Sequence, residues 1–182
     1  MPLSWEVVMS AAAGEAARRS PAEFVAAELD GLVRFAYGLA GSRAAAEDLV
    51  SEALLGAIGR WESIDNPVAY VRRSLVNRYL NERRRLRTAR AGVGGEPQPV
   101  GDLDAGVVRH LDVAAAIARL RPIERAVILL RYLEDRSVAE TARILDRPYG
   151  TVQRIAFEAL RSLRGQPDLR GYRADRAGSE EK

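Results

Sequence analysis

The stretch from Ser137 to Arg164, SVAETARILDRPYGTVQRIAFEALRSLR, decides the fold. Ser137 and Glu140 have the spacing of a capping box, which predicts the start of a first helix. Asp146-Arg147-Pro148 interrupts this helix, and Pro148 suits the first turn of a second one. A short helix, a tight turn and a longer helix are typical of a helix-turn-helix, whose second helix enters the major groove of DNA. An ordinary helical hairpin is the alternative interpretation.

The predicted second helix has two faces of different chemistry. Its apolar residues recur at helical spacing: Val152, Ile155, Ala156, Ala159, Leu160 and Leu163. Its other face carries side chains suited to DNA: Tyr149, Gln153, Arg154, Phe157 and Arg161. Arginine can pair with guanine, glutamine with adenine, and phenylalanine can touch a thymine methyl group. Thr151 and the backbone N–H groups around Tyr149 suit phosphate. A plain hairpin would show mixed charges on its outer face, so the pattern favours DNA binding.

Outward from this motif, the chain divides into helical segments. A unit from 107 to 164 ends with the helix-turn-helix, and Pro122 opens a helix within it whose apolar residues are Ile123, Val127, Leu130 and Leu133. Residues 91–106 are rich in Gly and Pro and contain acidic but no basic residues. Such a composition predicts a flexible, acidic linker.

A first helical unit is predicted from 21 to 90. Its opening helix presents an apolar face and stops at Gly41; the face consists of Leu29, Leu32, Phe35, Ala36 and Leu39. Ser42 caps a second helix, and Asn66-Pro67 opens a third. Residues 1–20 are expected to be an extension and 165–182 a polar tail. No stretch alternates like a strand. The expected fold class is all-α, with two small helical domains joined by a flexible linker and a helix-turn-helix in the second.

Charge is distributed unevenly along the first unit. Residues 22–65 contain eight acidic residues and three arginines, whereas residues 66–90 contain eight arginines and one glutamate. A basic helix is the electrostatic footprint of a phosphate backbone, and it makes binding salt-dependent. A solvated helix end is the alternative, but the charge is too concentrated to favour it.

Composition excludes several classes of function. The chain has no cysteine, and its 28 Lys and Arg include a single lysine, Lys182. Without cysteine there are no disulfides or thiolate metal sites, which fits a cytoplasmic protein. No apolar run is long enough to span a membrane, and no signal-peptide pattern is present. The only histidine is His110, and no phosphate-binding glycine loop follows a strand. We therefore expect a protein that is not an enzyme and needs no metal or cofactor.

Three blocks of residues, in this order, make the chain resemble the extracytoplasmic-function sigma factors of bacterial RNA polymerase. Residues 46–61, AEDLVSEALLGAIGRW, resemble the helix that binds core polymerase. Residues 66–77, NPVAYVRRSLVN, running into Arg83-Arg84-Arg85, resemble the promoter-melting helix. Residues 120–132, LRPIERAVILLRY, with the helix-turn-helix, resemble the reader of the upstream promoter element. The Ala-rich and Arg-rich composition resembles the actinobacterial branch.

The resemblance implies a transcription initiation factor with three sets of functional residues. The set for core polymerase is Asp48, Leu49, Glu52, Ala53 and Leu54, with ordinary core packing as the alternative for its three apolar members. The set for the downstream element and melting is Glu62, Asp65, Asn66, Tyr70, Arg72, Arg73, Asn77, Arg83, Arg84 and Arg85. The set for the upstream element is Tyr149, Thr151, Gln153, Arg154, Phe157 and Arg161. Core polymerase and promoter DNA are the implied partners, and an anti-sigma factor is a further candidate.

The sequence departs from the family pattern at several positions. Ser51, Leu54 and Ile58 replace residues that are commonly glutamine or aromatic, and Asp146 replaces a frequent glycine. In the second helix of the motif, Ile155 and Glu158 stand where arginine is common. Glu158 would repel phosphate unless it pairs with Arg154 or Arg161. Two alternatives stay open: a helix-turn-helix regulator that acts without polymerase, and a non-DNA interaction module with the same fold.

Overall fold

The structure is a computed structural model that describes residues 19–91 and 108–166. These residues form seven α-helices and no strand. The first unit contains α1 (Pro21–Ala40), α2 (Arg43–Ile58), a 3₁₀ turn (Trp61–Ser63) and α3 (Pro67–Ala91). The second contains α4 (Val108–Ala118), α5 (Pro122–Ile128), a π turn (Leu129–Leu133), α6 (Val138–Leu145) and α7 (Tyr149–Gly165). The predicted extension, linker and tail lie largely outside the described residues.

Local sequence signals set the helix boundaries in the first unit. Ser20 and Glu23 form a capping box at the start of α1, which Gly41 ends in the left-handed region at φ 79°. Ser42 accepts a hydrogen bond from the backbone N–H of Ala45 at the start of α2. The side chain of Asn66 accepts one from the N–H of Ala69 at the start of α3. The predicted stops and caps at positions 41, 42 and 66 are therefore confirmed.

Aromatic packing fixes the corner where α2 turns towards α3. The Phe24 and Trp61 rings meet edge to face with centroids 5.1 Å apart, a favoured aromatic geometry. The Trp61 indole N–H donates to the carbonyl of Arg19 at 2.9 Å. This corner therefore holds the loop at 62–66 in a fixed position beside the start of α3.

The helix-turn-helix forms as predicted, with one unusual residue in its turn. Ser137 and Glu140 form the capping box of α6. Asp146 follows α6 in the left-handed region at φ 53°. Glycine adopts this conformation most easily, but aspartate is among the residues that tolerate it. This tolerance explains how the motif keeps its turn without glycine. Pro148 caps α7 rather than lying inside it, a difference of one residue.

The two units pack directly against each other, and most of their buried apolar residues form one shared hydrophobic core; Leu120, Ile128 and Ala159 form a smaller separate cluster. α3 contacts α5 and α6, and α1 contacts α5 and the π turn. Gly38 of α1 faces Leu129, where an added Cβ would lie 2.8 Å from a Leu129 methyl carbon. The absence of a side chain at Gly38 therefore allows the units to approach closely.

Three apolar positions that helical spacing assigns to the core are exposed: Leu29 of α1, Ile58 of α2 and Leu133 of the π turn. Phe24, which the sequence pattern did not single out, is fully buried. Leu133 is exposed because the π turn shifts the helical register that the spacing of Ile123, Val127 and Leu130 would extend.

Candidate nucleic-acid and polymerase interfaces

Helix α7 presents a polar and aromatic surface away from the core. Val152, Ile155 and Ala156 are buried against the other helices. Gln153, Arg154 and Phe157 point outward, and Phe157 is 63% exposed. Tyr149 and Arg161 are exposed on the same helix and Thr151 is half-buried. Burial of Ile155 explains this departure from the family pattern, since an arginine there would be placed in the core.

Glu158 is paired with arginines on both sides. Its carboxylate accepts hydrogen bonds from Arg154 at 2.7 Å and from Arg121 at 2.9 Å. The bond from Arg154 is the main reason that the pKa of Glu158 lies below its ordinary value. Arg121 also bonds the carboxylate of Glu124 at 2.6 Å. The predicted pairing with Arg154 is therefore confirmed, while the second partner is Arg121 rather than Arg161.

Helix α3 exposes much of its predicted DNA-binding set. Asn77, Arg84 and Arg85 are exposed, and the guanidinium of Arg83 lies 5.4 Å from the centre of the Tyr79 ring. Arg73 is exposed and bonds Asp146 at 2.7 Å. The loop members of the set, Glu62, Asp65 and Asn66, are exposed, and Tyr70 on the helix is half-buried. The Asn66 side chain is engaged as a helix cap.

Arg72 does not lie on the exposed face that the prediction required. It is 4% exposed and forms ion pairs with Glu28 of α1 and Glu134 of the second unit. Arg72 shares a face of α3 with the buried Leu75, Val76 and Tyr79, and its ion pairs run to α1 and the second unit. In this arrangement Arg72 cannot reach a phosphate.

The polymerase-binding prediction also needs correction on α2. Leu49, Ala53 and Leu54 are buried in the core, so they cannot form the apolar centre of a contact. Asp48 and Glu52 are exposed, and Glu52 bonds Arg78 of α3 at 2.5 Å.

Two large apolar residues of α2 are exposed instead. Leu55 is 71% exposed and Ile58 is 46% exposed. Leu55 lies three residues after Glu52 and seven after Asp48, a spacing that places the three on one helix face. Sequence reasoning missed Leu55, although this spacing could have identified it.

Within 19–91 and 108–166, no cluster of three or more His, Asp or Glu side chains could hold a metal ion. In the same ranges, no helix combines the length and the hydropathy that crossing a membrane requires.

Known proteins match both units of the chain. Residues 24–89 match the family model "Sigma-70 region 2", and residues 110–163 match "Sigma-70, region 4". The RNA polymerase sigma-E factor of Streptomyces coelicolor is 33% identical over 148 residues, which cover 78% of this chain and 82% of that protein. The ECF RNA polymerase sigma factor SigL of Mycobacterium tuberculosis is 35% identical over 144 residues, 73% of this chain and 80% of that protein.

Solved structures share the fold. The sigma factor RpoE of Bartonella quintana, determined in complex with the anti-sigma factor NepR, superposes with a TM-score of 0.64 at 24% identity. The match covers 78% of this chain and 92% of RpoE. CnrH, determined in complex with the cytosolic domain of CnrY, superposes with a TM-score of 0.60 at 19% identity, over 88% and 97% of the two chains. At these identities the likeness establishes the all-helical architecture.

The two helical units, the basic helix and the helix-turn-helix thus define a class of DNA-binding initiation proteins. The chain belongs to the extracytoplasmic-function sigma factors of the sigma-70 family. It is a transcription initiation factor whose partners are RNA polymerase and promoter DNA. The chain carries sigma region 2 followed by sigma region 4, and this combination does not favour a helix-turn-helix regulator that acts without polymerase.

Proposed function

We propose that the exposed face of α2 is the contact for core polymerase. Leu55 and Ile58 would form its apolar centre, and Asp48 and Glu52 would surround it with negative charge. The exposure of Leu55 beside two carboxylates is the observation that supports this assignment. Protein interfaces commonly combine a buried apolar centre with a charged rim that steers association.

A pull-down with core polymerase tests the α2 assignment. Replacing Leu55 and Ile58 together by Ser should weaken binding by about tenfold or more, because a central apolar contact costs more than about 1.4 kcal/mol when lost. Leu29→Ser is the matched control, since Leu29 is an exposed leucine on α1. Helical content should be unchanged in both variants. Equal polymerase affinity of the double variant and the control would disprove the docking face.

The DNA-facing residues divide into two groups in this proposal. The loop at 62–66 and the exposed residues of α3 bind the downstream element, with Arg84 and Arg85 on the phosphate backbone. The loop would hold a base that has left the DNA stack. Unpairing and unstacking such a base costs a few kcal/mol. Tyr149, Thr151, Gln153, Arg154, Phe157 and Arg161 of α7 bind the upstream element.

The proposal extends to regulation and location. The fold is shared with the sigma factor RpoE, which was solved in complex with the anti-sigma factor NepR, and we propose such a partner for this chain. Because its proposed task is carried out on promoter DNA together with polymerase, we propose that the protein acts in the cytoplasm and contributes binding rather than catalysis. Co-purification of an interacting protein with the tagged chain, displaced by core polymerase, would test the regulatory partner.

A further inference from the structure

Thr151 and Glu158 mark one flank of α7. They are seven residues apart, about two helical turns, and both are half-buried at the edge of the outer face. When a recognition helix lies in the major groove, its outer face meets base edges and its flanks lie beside the phosphates of the two strands. A carboxylate in such a place would repel DNA, so the partners of Glu158 decide what this flank can bind.

Two arginines cover the carboxylate of Glu158. Arg154 reaches it from one turn earlier on α7, and Arg121 reaches it from the cap of α5 at 2.9 Å. Arg121 also bonds Glu124, but the side chain of Glu124 is only 7% exposed. Of these four side chains, the ones that face solvent are therefore two guanidinium groups and one carboxylate, which leaves the flank positive.

Arg121 keeps unused hydrogen-bond donors. Its side chain is 65% exposed, and its bonds to Glu124 and to Glu158 both leave from Nη2. Among the residues that the structure describes, no acceptor is bonded to its Nε or Nη1. A guanidinium carries five N–H donors and matches phosphate oxygens well. The bond to Glu158 thus holds Arg121 beside α7 while part of the guanidinium stays open to a ligand.

Apolar packing, rather than this ion pair, holds α5 against α7. Leu120, directly before Arg121, is buried in a small cluster with Ile128 of α5 and Ala159 of α7. Two half-buried leucines of α7 pack against the same cluster. Apolar burial of this kind stabilises the contact between the helices, whereas an ion pair open to solvent adds little to stability. A structural bridge alone therefore does not account for the placement of Arg121.

We propose that Arg121 is a phosphate-binding residue for the upstream element, and that α5 thereby joins the helix-turn-helix in forming the DNA surface. The inference rests on the proposed DNA role of α7. Arg121 lies at the flank of α7 that carries Thr151, so the two residues hold the same DNA strand at points about two helical turns of α7 apart. The contact fixes the position of α7 and strengthens binding without reading a base.

The salt dependence of promoter binding tests the contact. The full chain is bound to core polymerase and given a duplex that this complex selects from a randomised library. Arg121→Ala should weaken binding of that duplex several-fold and reduce the slope of log affinity against log salt by about 1, the effect of one lost phosphate contact. Arg43→Ala is the control, because Arg43 also pairs with a surface glutamate but lies on α2. A salt slope equal to that of the control would overturn the proposal.

Two further variants distinguish a phosphate contact from a structural bridge. Arg121→Lys keeps a positive charge that can bind phosphate as a point charge, so it should retain the slope. Arg121→Ala combined with Glu158→Arg returns a positive charge to the flank and should recover the slope that the single variant loses. If Arg121→Lys loses as much of the slope as Arg121→Ala, Arg121 is a structural bridge and the proposal is wrong. Far-UV circular dichroism of each variant verifies that the helices remain.

The DNA role of α7 is judged separately with Gln153→Ala and Arg154→Ala, both at exposed positions of its outer face. Arg121→Ala should leave the selected sequences unchanged, whereas these two variants should relax them. Relaxed preference in the two variants, together with an unchanged salt slope in Arg121→Ala, would leave the function of α7 intact and remove Arg121 from it. Unchanged preference in both would refute the DNA role of α7, and the inference about Arg121 would fall with it.

Discussion

At the scale of single residues, Glu158 links the exposed polar face of α7 to the start of α5. It binds Arg154 from its own helix and Arg121 from the N-terminal cap of α5. An ion pair of this kind, open to solvent, contributes little to stability. In the proposed role of Arg154 the pair would act through orientation, because a bidentate arginine must present its planar fork to a base at a defined angle.

Arg154→Ala should relax preference at one position of the upstream element, at a cost of about 1–3 kcal/mol. Glu158→Gln should weaken preference at that same position because it frees Arg154, yet raise overall DNA affinity because a negative charge is removed. Selection of bound sequences by the two variants and by wild type checks both effects. Arg143→Ala, at an exposed arginine of α6, is the control. Unchanged preference in both test variants would show that Arg154 reads no base.

At the scale of elements, the helix-turn-helix depends on how its first helix begins. Glu140 accepts a hydrogen bond from the N–H of Ser137 at 2.8 Å, and Ser137 accepts one from the N–H of Glu140 at 3.1 Å. Burial opposes ionisation of Glu140, but these bonds outweigh it and lower the pKa below the ordinary value of 4.5. A carboxylate whose pKa is lower in the folded than in the unfolded protein stabilises the fold at a pH above its unfolded-state pKa. That stabilisation is lost as the pH falls through the folded-state pKa.

Glu140→Gln should therefore destabilise the protein near neutral pH and have progressively less effect below about pH 4.5. The reason is that the wild-type carboxylate becomes protonated at low pH and no longer stabilises the helix start as an ionised cap, so the two proteins become alike. Denaturant unfolding of both proteins between neutral pH and about pH 3 gives the difference in free energy of unfolding. Glu82→Gln, at an exposed glutamate of α3, serves as the control. A difference that stays constant with pH would contradict the role of the ionised cap.

At the scale of the whole molecule, one core serves both units. Leu129 is buried and lies against Gly38 of α1, and residues from α5, α6 and α7 belong to the same cluster as those of α1 to α3. Two units that share buried surface should unfold together, because exposing one removes the packing of the other.

Leu129→Ala should lower the free energy of unfolding of the whole chain by about 2–5 kcal/mol through lost packing and a cavity. In a Trp5→Phe background, Trp61 reports the first unit alone. Its fluorescence transition should shift with the substitution in the second unit, whereas Leu86→Ala, at an exposed leucine, should shift it little. A Trp61 transition that Leu129→Ala does not move would show that the units unfold independently.

The sequence by itself determined the helical class, the helix-turn-helix and most helix boundaries. Those features follow from local chemistry: caps such as Ser137, the left-handed Gly41 and apolar spacing on each helix. Only the tertiary structure decided which face of each helix is exposed and how the two units meet. The α2 pattern left core packing and polymerase contact both open for Leu49 and Leu54, because a helical spacing marks a face without saying what covers it; the structure buries both. Arg72 looked like a phosphate contact for the same reason, since its burial depends on Glu28 and Glu134, which lie 44 and 62 residues away.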